Sequence, residues 1–420
     1  METLQNLLSP TFNEKDLLKI VTEYTSNLEN IQISKVIMAP PSQKIGDSYL
    51  SQIVRFTVDA SGINQQRKPE SVSVNVIAKV VPQNLGRQKT FRSRDFFENE
   101  IIFYDEVWSS LKKFYESKNL KANFGDIIPN FLAYHLDEKY GYICLEDLSL
   151  RNYENVERGN GLNYEYSLKV IDLFAKFHSL SLAFKDQNPS EFTKIAKSLK
   201  ETYFSAKYFN WYGNLQNCLF AVVRDAVKKE LSDIYYDKID YVFKDDFYRK
   251  VCDLCENSHG HLSVITEGDA WIPNFLFRNE GELQVALIDF QLARWAPITN
   301  DITFFMLTCV DESILEDKWY ELIEHYVSSM QVYLHVLGSS PNLISTQQIQ
   351  EEIKHNIYFT IAMSIEALTM SLVEGFDLDS IKGDDAVPLE SVWVIPPFED
   401  EVCRQRVANM IKLIVDKGYL

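Results

Sequence analysis

The chain has 420 residues, more than one small core holds, so two lobes are expected. Hydrophobic residues make up 46% and charged residues 24%, with only 15 Gly and 13 Pro, which excludes collagen-like, low-complexity and largely disordered chains. The 60 Asp+Glu against 42 Lys+Arg give a net charge of −18, which excludes binding nucleic acid or an anionic membrane through overall charge and leaves only a local basic pocket for phosphate.

Met1 to Pro10 is polar and lacks the basic-then-apolar order of a secretory signal. Asn13–Leu28 has apolar residues at helical spacing. Ile31–Met38, Tyr49–Val58 and Ser71–Val81 read as strands from their β-branched content and partial alternation. A long helix is expected from Arg92 to about Tyr115, then a strand pair at Phe131–His135 and Tyr142–Leu145. After residue 150 helices dominate: Tyr164–Phe184, Glu191–Tyr208 with Ser190 as N-cap, Leu215–Leu231 and Asp245–Glu256. Short strands interrupt them at Leu262–Ile265, Phe275–Arg278 and Leu283–Ile288, the last two joined by a hairpin turn over Asn279–Glu282. Helices resume from Ile302. Ile357–Val373 is the most apolar late stretch, but Glu366 interrupts it, so it reads as a buried helix rather than a bilayer span. The fold class is therefore α+β and two-lobed, a β-rich N-lobe before a mainly helical C-lobe. Six cysteines in so long a chain do not make a disulfide framework, and the expected location is cytoplasmic.

The chemistry concentrates in Glu267-Gly268-Asp269-Ala270-Trp271-Ile272-Pro273-Asn274, the hairpin after it, and Leu287-Ile288-Asp289-Phe290-Gln291. An acid at the tip of a buried strand, opposite an Asp/Asn loop, suits a divalent cation held through oxygen. Asp269 and Asp289 as mere turn caps is the plainer alternative. Cys252-x-x-Cys255-x₃-His259-x-His261 offers four zinc-ligand types, but its spacing is tighter than that of structural zinc sites, and Cys252 and Cys255 fit one helix face.

Gly268, Asp269, Trp271, Asn274 and Phe277, followed by Ile288-Asp289-Phe290-Gln291, resemble the ecdysteroid kinase-like family of insects. That family is similar in fold to choline and aminoglycoside kinases and, more distantly, to protein kinases. The resemblance runs from about residue 40 to 340. It implies that Lys79, ending Val76-Ile77-Ala78-Lys79, contacts the nucleotide phosphates and pairs with Glu100. It implies that Gly46, Ser48 and Tyr49 cover the phosphates, although this loop has only one glycine. It places Glu146 and Leu148 in the hinge that meets adenine, and His178 on a helix beneath the active site as a packed rather than catalytic residue. Asp301 matches a family position that helix capping also explains.

The resemblance implies a nucleotide-binding lobe over residues 1–148 and a helical acceptor lobe over 149–420. The implied activity is ATP- and Mg²⁺-dependent phosphorylation of a hydroxyl on a small apolar molecule, an ecdysteroid or a xenobiotic alcohol. Asp269 would be the catalytic proton acceptor, and Asn274 and Asp289 would hold the metal. Phe209, Trp211, Tyr212, Trp295, Phe304 and Phe305 of the helical lobe read either as lining of an apolar acceptor pocket or, at least as readily, as ordinary core. The chain departs from the family pattern at Glu267, where a histidine is usual, and at Pro273. Glu267 adds a third acid beside Asp269 and Asp289; Pro273 removes an N–H and fixes φ. A non-catalytic ligand-binding or regulatory protein is the alternative. A protein kinase is disfavoured by the lack of an Ala-Pro-Glu segment after Asp289.

Overall fold

The computed structural model describes residues 1–25, 27–40, 50–120, 124–156, 161–244, 246–373, 375, 376, 378 and 381–420. Gly46, Ser48 and Tyr49 lie outside them. The first third forms a five-stranded antiparallel sheet in the order β1-β2-β3-β5-β4, from β1 (Glu29–Met38), β2 (Gln52–Ile63), β3 (Pro69–Val80), β4 (Phe131–Leu136) and β5 (Gly141–Glu146).

Alternation along β3 decides what each sheet face does. Val74, Val76, Ala78 and Val80 point one way, into a core closed by Leu4, Leu8, Phe12, Leu17, Ile20 and Val21 of the two N-terminal helices, Glu2–Leu7 and Glu14–Thr25. Burying each large apolar side chain is worth roughly 1.5–3 kcal/mol, so these helices are an integral cover for the sheet. Asn75, Ile77 and Lys79 take the opposite face, towards the rest of the molecule. The helix expected from Arg92 is a helical run over Ser93–Ile102, a π turn over Phe103–Trp108 and a further helix over Ser109–Ser117. Arg92 itself is left-handed (φ 52°) and separates this run from the Leu85–Phe91 helix.

Beyond the sheet, Tyr164–Gln187 packs against Glu312–Val336, Thr299–Cys309 against Thr346–Ser371, and Phe209–Glu230 against Glu401–Asp416. Two small sheets are set among them: β6 (Ser263–Thr266) with β9 (Arg294–Pro297), and β7 (Phe275–Glu280) with β8 (Glu282–Leu287). The β7–β8 turn is the expected hairpin, with Gly281 at φ 86° supplying the left-handed residue. Among the described residues no helix is long and apolar enough to cross a membrane.

Two expectations are corrected, and one strand, β9, was not expected. The helix expected over Glu191–Tyr208 spans only Pro189–Ala196, because the side chains of Glu201 and of Asn99 capture backbone N–H groups that a longer helix would need. Glu201 Oε1 accepts from Tyr203 N and Phe204 N, both at 2.8 Å, and Asn99 Oδ1 accepts from Lys200 N at 2.8 Å. Ser190 is not the N-cap, since Pro189 already occupies the first helical turn and Asn188 precedes it. β9 was hidden by its four-residue length and its proline. Late in the chain, a segment returns to the Leu85–Phe91 helix: Gly86 N donates to Gly383 O (3.2 Å) and Val387 N to Thr90 Oγ1 (3.0 Å).

Candidate active site

Lys79 is the centre of the charge network beneath the sheet. Its Nζ lies 2.8 Å from Glu100 Oε1, 2.9 Å from Glu100 Oε2 and 2.7 Å from Asp289 Oδ1. Strand β3 supplies the lysine and the Ser93–Ile102 helix supplies Glu100, which is buried. Burial alone would lower the Lys79 pKa, but Asp289 and then Glu100 hold it above the ordinary lysine value. Burial pushes Glu100 up to about 7 against the pull of Lys79.

Asp289 follows β8 and is left-handed at φ 68°, ψ 66°. A non-glycine residue there costs of order 1–3 kcal/mol and persists only where the surroundings impose it. Phe290 supplies that constraint. Its ring stacks on Phe103 of the π turn, centroids 3.8 Å apart and planes at 4°, and meets Tyr104 and Phe177 at wider angles. Asn99, fully buried beside Glu100, donates to Gln291 O (3.1 Å) and Ala293 O (2.8 Å), fastening the same helix to the segment after Asp289.

The Glu267–Asn274 loop is held from below. Asp301 accepts from Glu267 N at 2.7 Å and Gly268 N at 2.9 Å, and its Oδ2 lies 3.1 Å from His178 Nε2. His178 Nδ1 in turn pairs with Tyr326 OH at 2.7 Å. His178 is thus packed, as expected. Asp301 sits inside the first turn of the Thr299–Cys309 helix, whose N-cap has no side-chain bond, so its carboxylate serves the loop rather than capping. Gly268 has φ 87°, and a Cβ there would stand 2.1 Å from Leu292 O, so only glycine fits.

Glu267 is fully buried and faces inward as a brace: Oε2 accepts from Asp269 N (2.8 Å) and Oε1 from Asn274 Nδ2 (3.3 Å). Burial, then the charges of Asp269, Asp301 and Asp289, push its carboxyl well above the usual range, which favours the neutral form over a third negative charge. Pro273 is equally accommodated. It lies in a 3₁₀ turn over Ile272–Asn274, where its missing N–H has no partner to lose, and its carbonyl accepts from Asn155 Nδ2 at 2.8 Å.

Asn274 Nδ2 donates to Asp269 O (2.9 Å) and Asp269 Oδ2 (3.2 Å), and Ile288 N donates to Asn274 O (3.1 Å), which brings Asn274 beside Asp289. Burial, then Asp289 and Glu366, push the Asp269 carboxyl up to about 8, while donation from Asn274 opposes the rise. With its amide nitrogen engaged, Asn274 has its carbonyl oxygen left for a cation, and Asp289 adds a partly exposed carboxylate. Among the described residues no group of three or more His, Cys, Asp or Glu is arranged to hold a metal. The two oxygen donors of Asn274 and Asp289 match the ligand chemistry of a hard divalent cation, which takes its other ligands from phosphate and water.

The segment expected to be the hinge leaves β5 at Glu146, whose Oε2 accepts from Asn130 Nδ2 (2.8 Å) and whose Oε1 pairs with Arg151 (3.3 Å). Leu148 packs with Tyr153, Leu276 and Ala286 in a small apolar cluster separate from the main core.

The six aromatics read as pocket lining or core divide between the core and the surface. Phe304 and Phe305 are core, Trp295 stacks on His259, and Phe209 is more than half exposed. Tyr212 alone of that set is hydrogen-bonded to Glu366. Asn99, Glu201, Tyr203, Arg294 and Glu366, which form a connected set of hydrogen bonds around the segments carrying Asp269 and Asp289, were not singled out together from the sequence. The one signal was a charge within an apolar run at Glu366, while the others become neighbours only through the fold. The zinc-like group is engaged elsewhere: Cys252 is buried on its helix, His259 stacks on Trp295 at 4.0 Å and His261 Nε2 meets Leu343 O at 2.8 Å.

A lysine between two acids beneath a sheet, facing an Asp/Asn loop on a helical body, is the arrangement of a kinase-like phosphotransferase of small molecules. The chain belongs to the ecdysteroid kinase-like family, whose pattern matches residues 45–339. Solved structures that resemble it include an ethanolamine kinase of Plasmodium vivax (15% identity, covering 100% of this chain and 94% of that one, TM-score 0.41). Others are a spectinomycin phosphotransferase in an AMP-bound complex (12%, 92% and 96%, TM-score 0.36) and a choline kinase of Streptococcus pneumoniae (9%, 95% and 98%, TM-score 0.34). No curated protein sequence matches the chain.

Proposed function

We propose that the protein transfers the γ-phosphoryl group of ATP to a hydroxyl of a small apolar alcohol, an ecdysteroid or a xenobiotic. The observation that carries this reading is Lys79 bridging Glu100 and Asp289 while Asn274 donates to Asp269 Oδ2 and accepts from Ile288 N, the neighbour of Asp289 in the chain. Residues 1–148 act as the nucleotide lobe and 149–420 as the acceptor lobe. Adenine lies against the backbone of Glu146–Leu148 and the apolar cluster at Leu148, and Gly46, Ser48 and Tyr49 cover the phosphates.

Asp269 orients the acceptor O–H and takes its proton as the new O–P bond forms and the bond to the ADP oxygen breaks. Lys79, fixed by Glu100, neutralises phosphate charge. Mg²⁺ held by Asn274 and Asp289 supplies further charge stabilisation when bound. Positioning and electrostatics carry such a reaction. The six unpaired cysteines accord with a reducing, cytoplasmic setting.

Two measurements test this reading. Mg-ATP should raise the melting temperature of the wild type, and Asp289→Asn should remove most of that rise. Absence of a rise in the wild type contradicts nucleotide binding. Transfer of label from γ-labelled ATP to an alcohol should vanish in Asp269→Ala.

A further inference from the structure

We propose that residues 381–393 form a strap from the helical lobe that positions the helix carrying Glu100, with Trp393 as its anchor, so that Mg-ATP affinity depends on Trp393. The inference rests on reading Lys79 and Glu100 as nucleotide-binding residues. The strap lies past residue 339, where the family pattern ends.

One side of the strap runs along the Leu85–Phe91 helix. Asn84 Nδ2 donates to Ile381 O (3.4 Å), Gly86 N to Gly383 O (3.2 Å) and Lys89 Nζ to Asp384 O (2.7 Å). Val387 N donates to Thr90 Oγ1 (3.0 Å), and the rings of Phe91 and Trp393 pack with centroids 5.3 Å apart. The approach is backbone to backbone: a Cβ on Gly86 would stand 2.6 Å from Gly383 O and 2.9 Å from Asp385 O. A helix of 7 residues does not hold itself together in water, so its place is set by what packs on it.

The other side is rooted in the helical lobe. Leu389, Val392 and Trp393 are buried, and the Leu389–Val392 turn packs on the Phe209–Glu230 helix. Asn214 Nδ2 of that helix donates to Glu390 Oε1 (3.1 Å), and its Trp211 Nε1 donates to Thr90 O (2.8 Å). Thr90 is therefore held twice, by its carbonyl to Trp211 and by its hydroxyl to the strap.

This junction bears on Glu100. Lys79 lies just before the Leu85–Phe91 helix in the chain, and Glu100 lies on the helix just after it. Left-handed Arg92 forms the corner between the two helices. Its guanidinium lies 3.3 Å from the ring centroid of Tyr208 and 4.6 Å from that of Trp211, and Nη1 donates to Thr202 O (2.7 Å). Asn99 fastens the far end of the Glu100 helix to Ala293 O (2.8 Å), and the junction fastens its start. Fixed at both ends, the helix keeps Glu100 Oε1 at 2.8 Å from Lys79 Nζ. Released at its start, it can tilt about Asn99 and carry Glu100 away from the lysine that it orients towards phosphate.

The test is calorimetric titration of Mg-ATP into wild type, Trp393→Phe, Trp393→Ala, Glu100→Gln and the Glu100→Gln/Trp393→Ala double variant, each checked for folding by melting temperature. Amide hydrogen exchange is followed on the wild type and Trp393→Ala without nucleotide. Trp393→Ala should weaken Mg-ATP binding about tenfold, and Trp393→Phe, which keeps a ring against Phe91, should restore most of it. In the Glu100→Gln background the effect of Trp393→Ala should shrink to within about twofold, because the strap acts through Glu100. Amides of residues 93–102 should exchange about tenfold faster in Trp393→Ala, with those of Glu312–Val336 unchanged. If Trp393→Ala fails to fold, Thr90→Val, which removes the acceptor of Val387 N, takes its place throughout. Unchanged affinity, an equal loss in both backgrounds, or unchanged exchange over residues 93–102 overturns the proposal. No Mg-ATP binding by the wild type contradicts the nucleotide reading; faster exchange over 93–102 then still supports the strap, and unchanged exchange overturns it.

Discussion

The two sides of the candidate site are built by different means. On the sheet side, charge is balanced by charge: Lys79 lies between Glu100 and Asp289, and the pairing reaches across elements distant in sequence. On the helical side, acids are buried against neutral donors: Glu267 against two N–H groups, Glu366 against two phenols, and Asp301 against two backbone amides and a histidine. The first arrangement is suited to holding phosphates, which replace or augment the acids around a fixed cation. The second fixes the loop that carries Asp269 without presenting more positive charge. Removing one partner should therefore hurt each side differently.

The largest expected effect is on the reaction. Asp269→Ala should lower the transfer rate by roughly 10²–10⁴-fold, the range for loss of a positioned acid–base group, while retaining the Mg-ATP melting shift. Loss of both would place Asp269 in folding rather than in transfer. Next comes the sheet side: Lys79→Met leaves Glu100 buried without its cation and should cost about 3–5 kcal/mol in denaturant unfolding. Lys79→Met combined with Glu100→Gln should recover much of that loss. On the helical side, Asp301→Ala orphans Glu267 N, Gly268 N and His178 together, with an expected cost of about 2–4 kcal/mol. An equal cost from Asp301→Asn would show that shape rather than charge holds the loop.

Glu366 gives a pH test of the same contrast. Burial lifts its carboxyl from 4.5 to about 7, with Tyr203 and Tyr212 as its hydrogen-bond donors and Asp269 as the acid its charge reaches. A raised folded value means the folded state binds the proton more tightly. Its contribution is full below about 4.5 and falls as pH rises through about 7. The stability of the wild type relative to Glu366→Gln should therefore decline across that window, by on the order of 3 kcal/mol. The smallest effect is expected at Gly86→Ala: a Cβ there would sit 2.6 Å from Gly383 O, so the returning segment must shift. That should lower the melting temperature by a few degrees.

How legible the molecule was follows the same division. The strands of the sheet were readable because one face is buried and alternation records it: Val74, Val76, Ala78 and Val80 against Asn75, Ile77 and Lys79. That Asp269, Asn274 and Asp289 come close was readable because a short hairpin joins their segments, and Gly268 stood out through its place in the family motif, its left-handed φ being visible only in the structure. What Glu267 and Asp301 brace was not legible, for a common reason. Sequence reports that a carboxylate is present, but whether it is exposed, braced or neutral depends on what closes over it. The helical surroundings of Asp269 were the least readable. Tyr203 falls in a stretch whose helical periodicity is overridden by Glu201 and Asn99, and Glu366 and Arg294 come from elements that only the packed structure juxtaposes.

The account stands most directly on one measurement: mass spectrometry of a panel of ecdysteroids and other apolar alcohols after incubation with the wild-type protein and Mg-ATP. The predicted result is gain of one phosphoryl group by at least one polyhydroxylated member, with matching release of ADP and no product from Asp269→Ala. Mg-ATP binding with no phosphorylated alcohol anywhere in the panel would contradict it and favour a kinase-like binding protein.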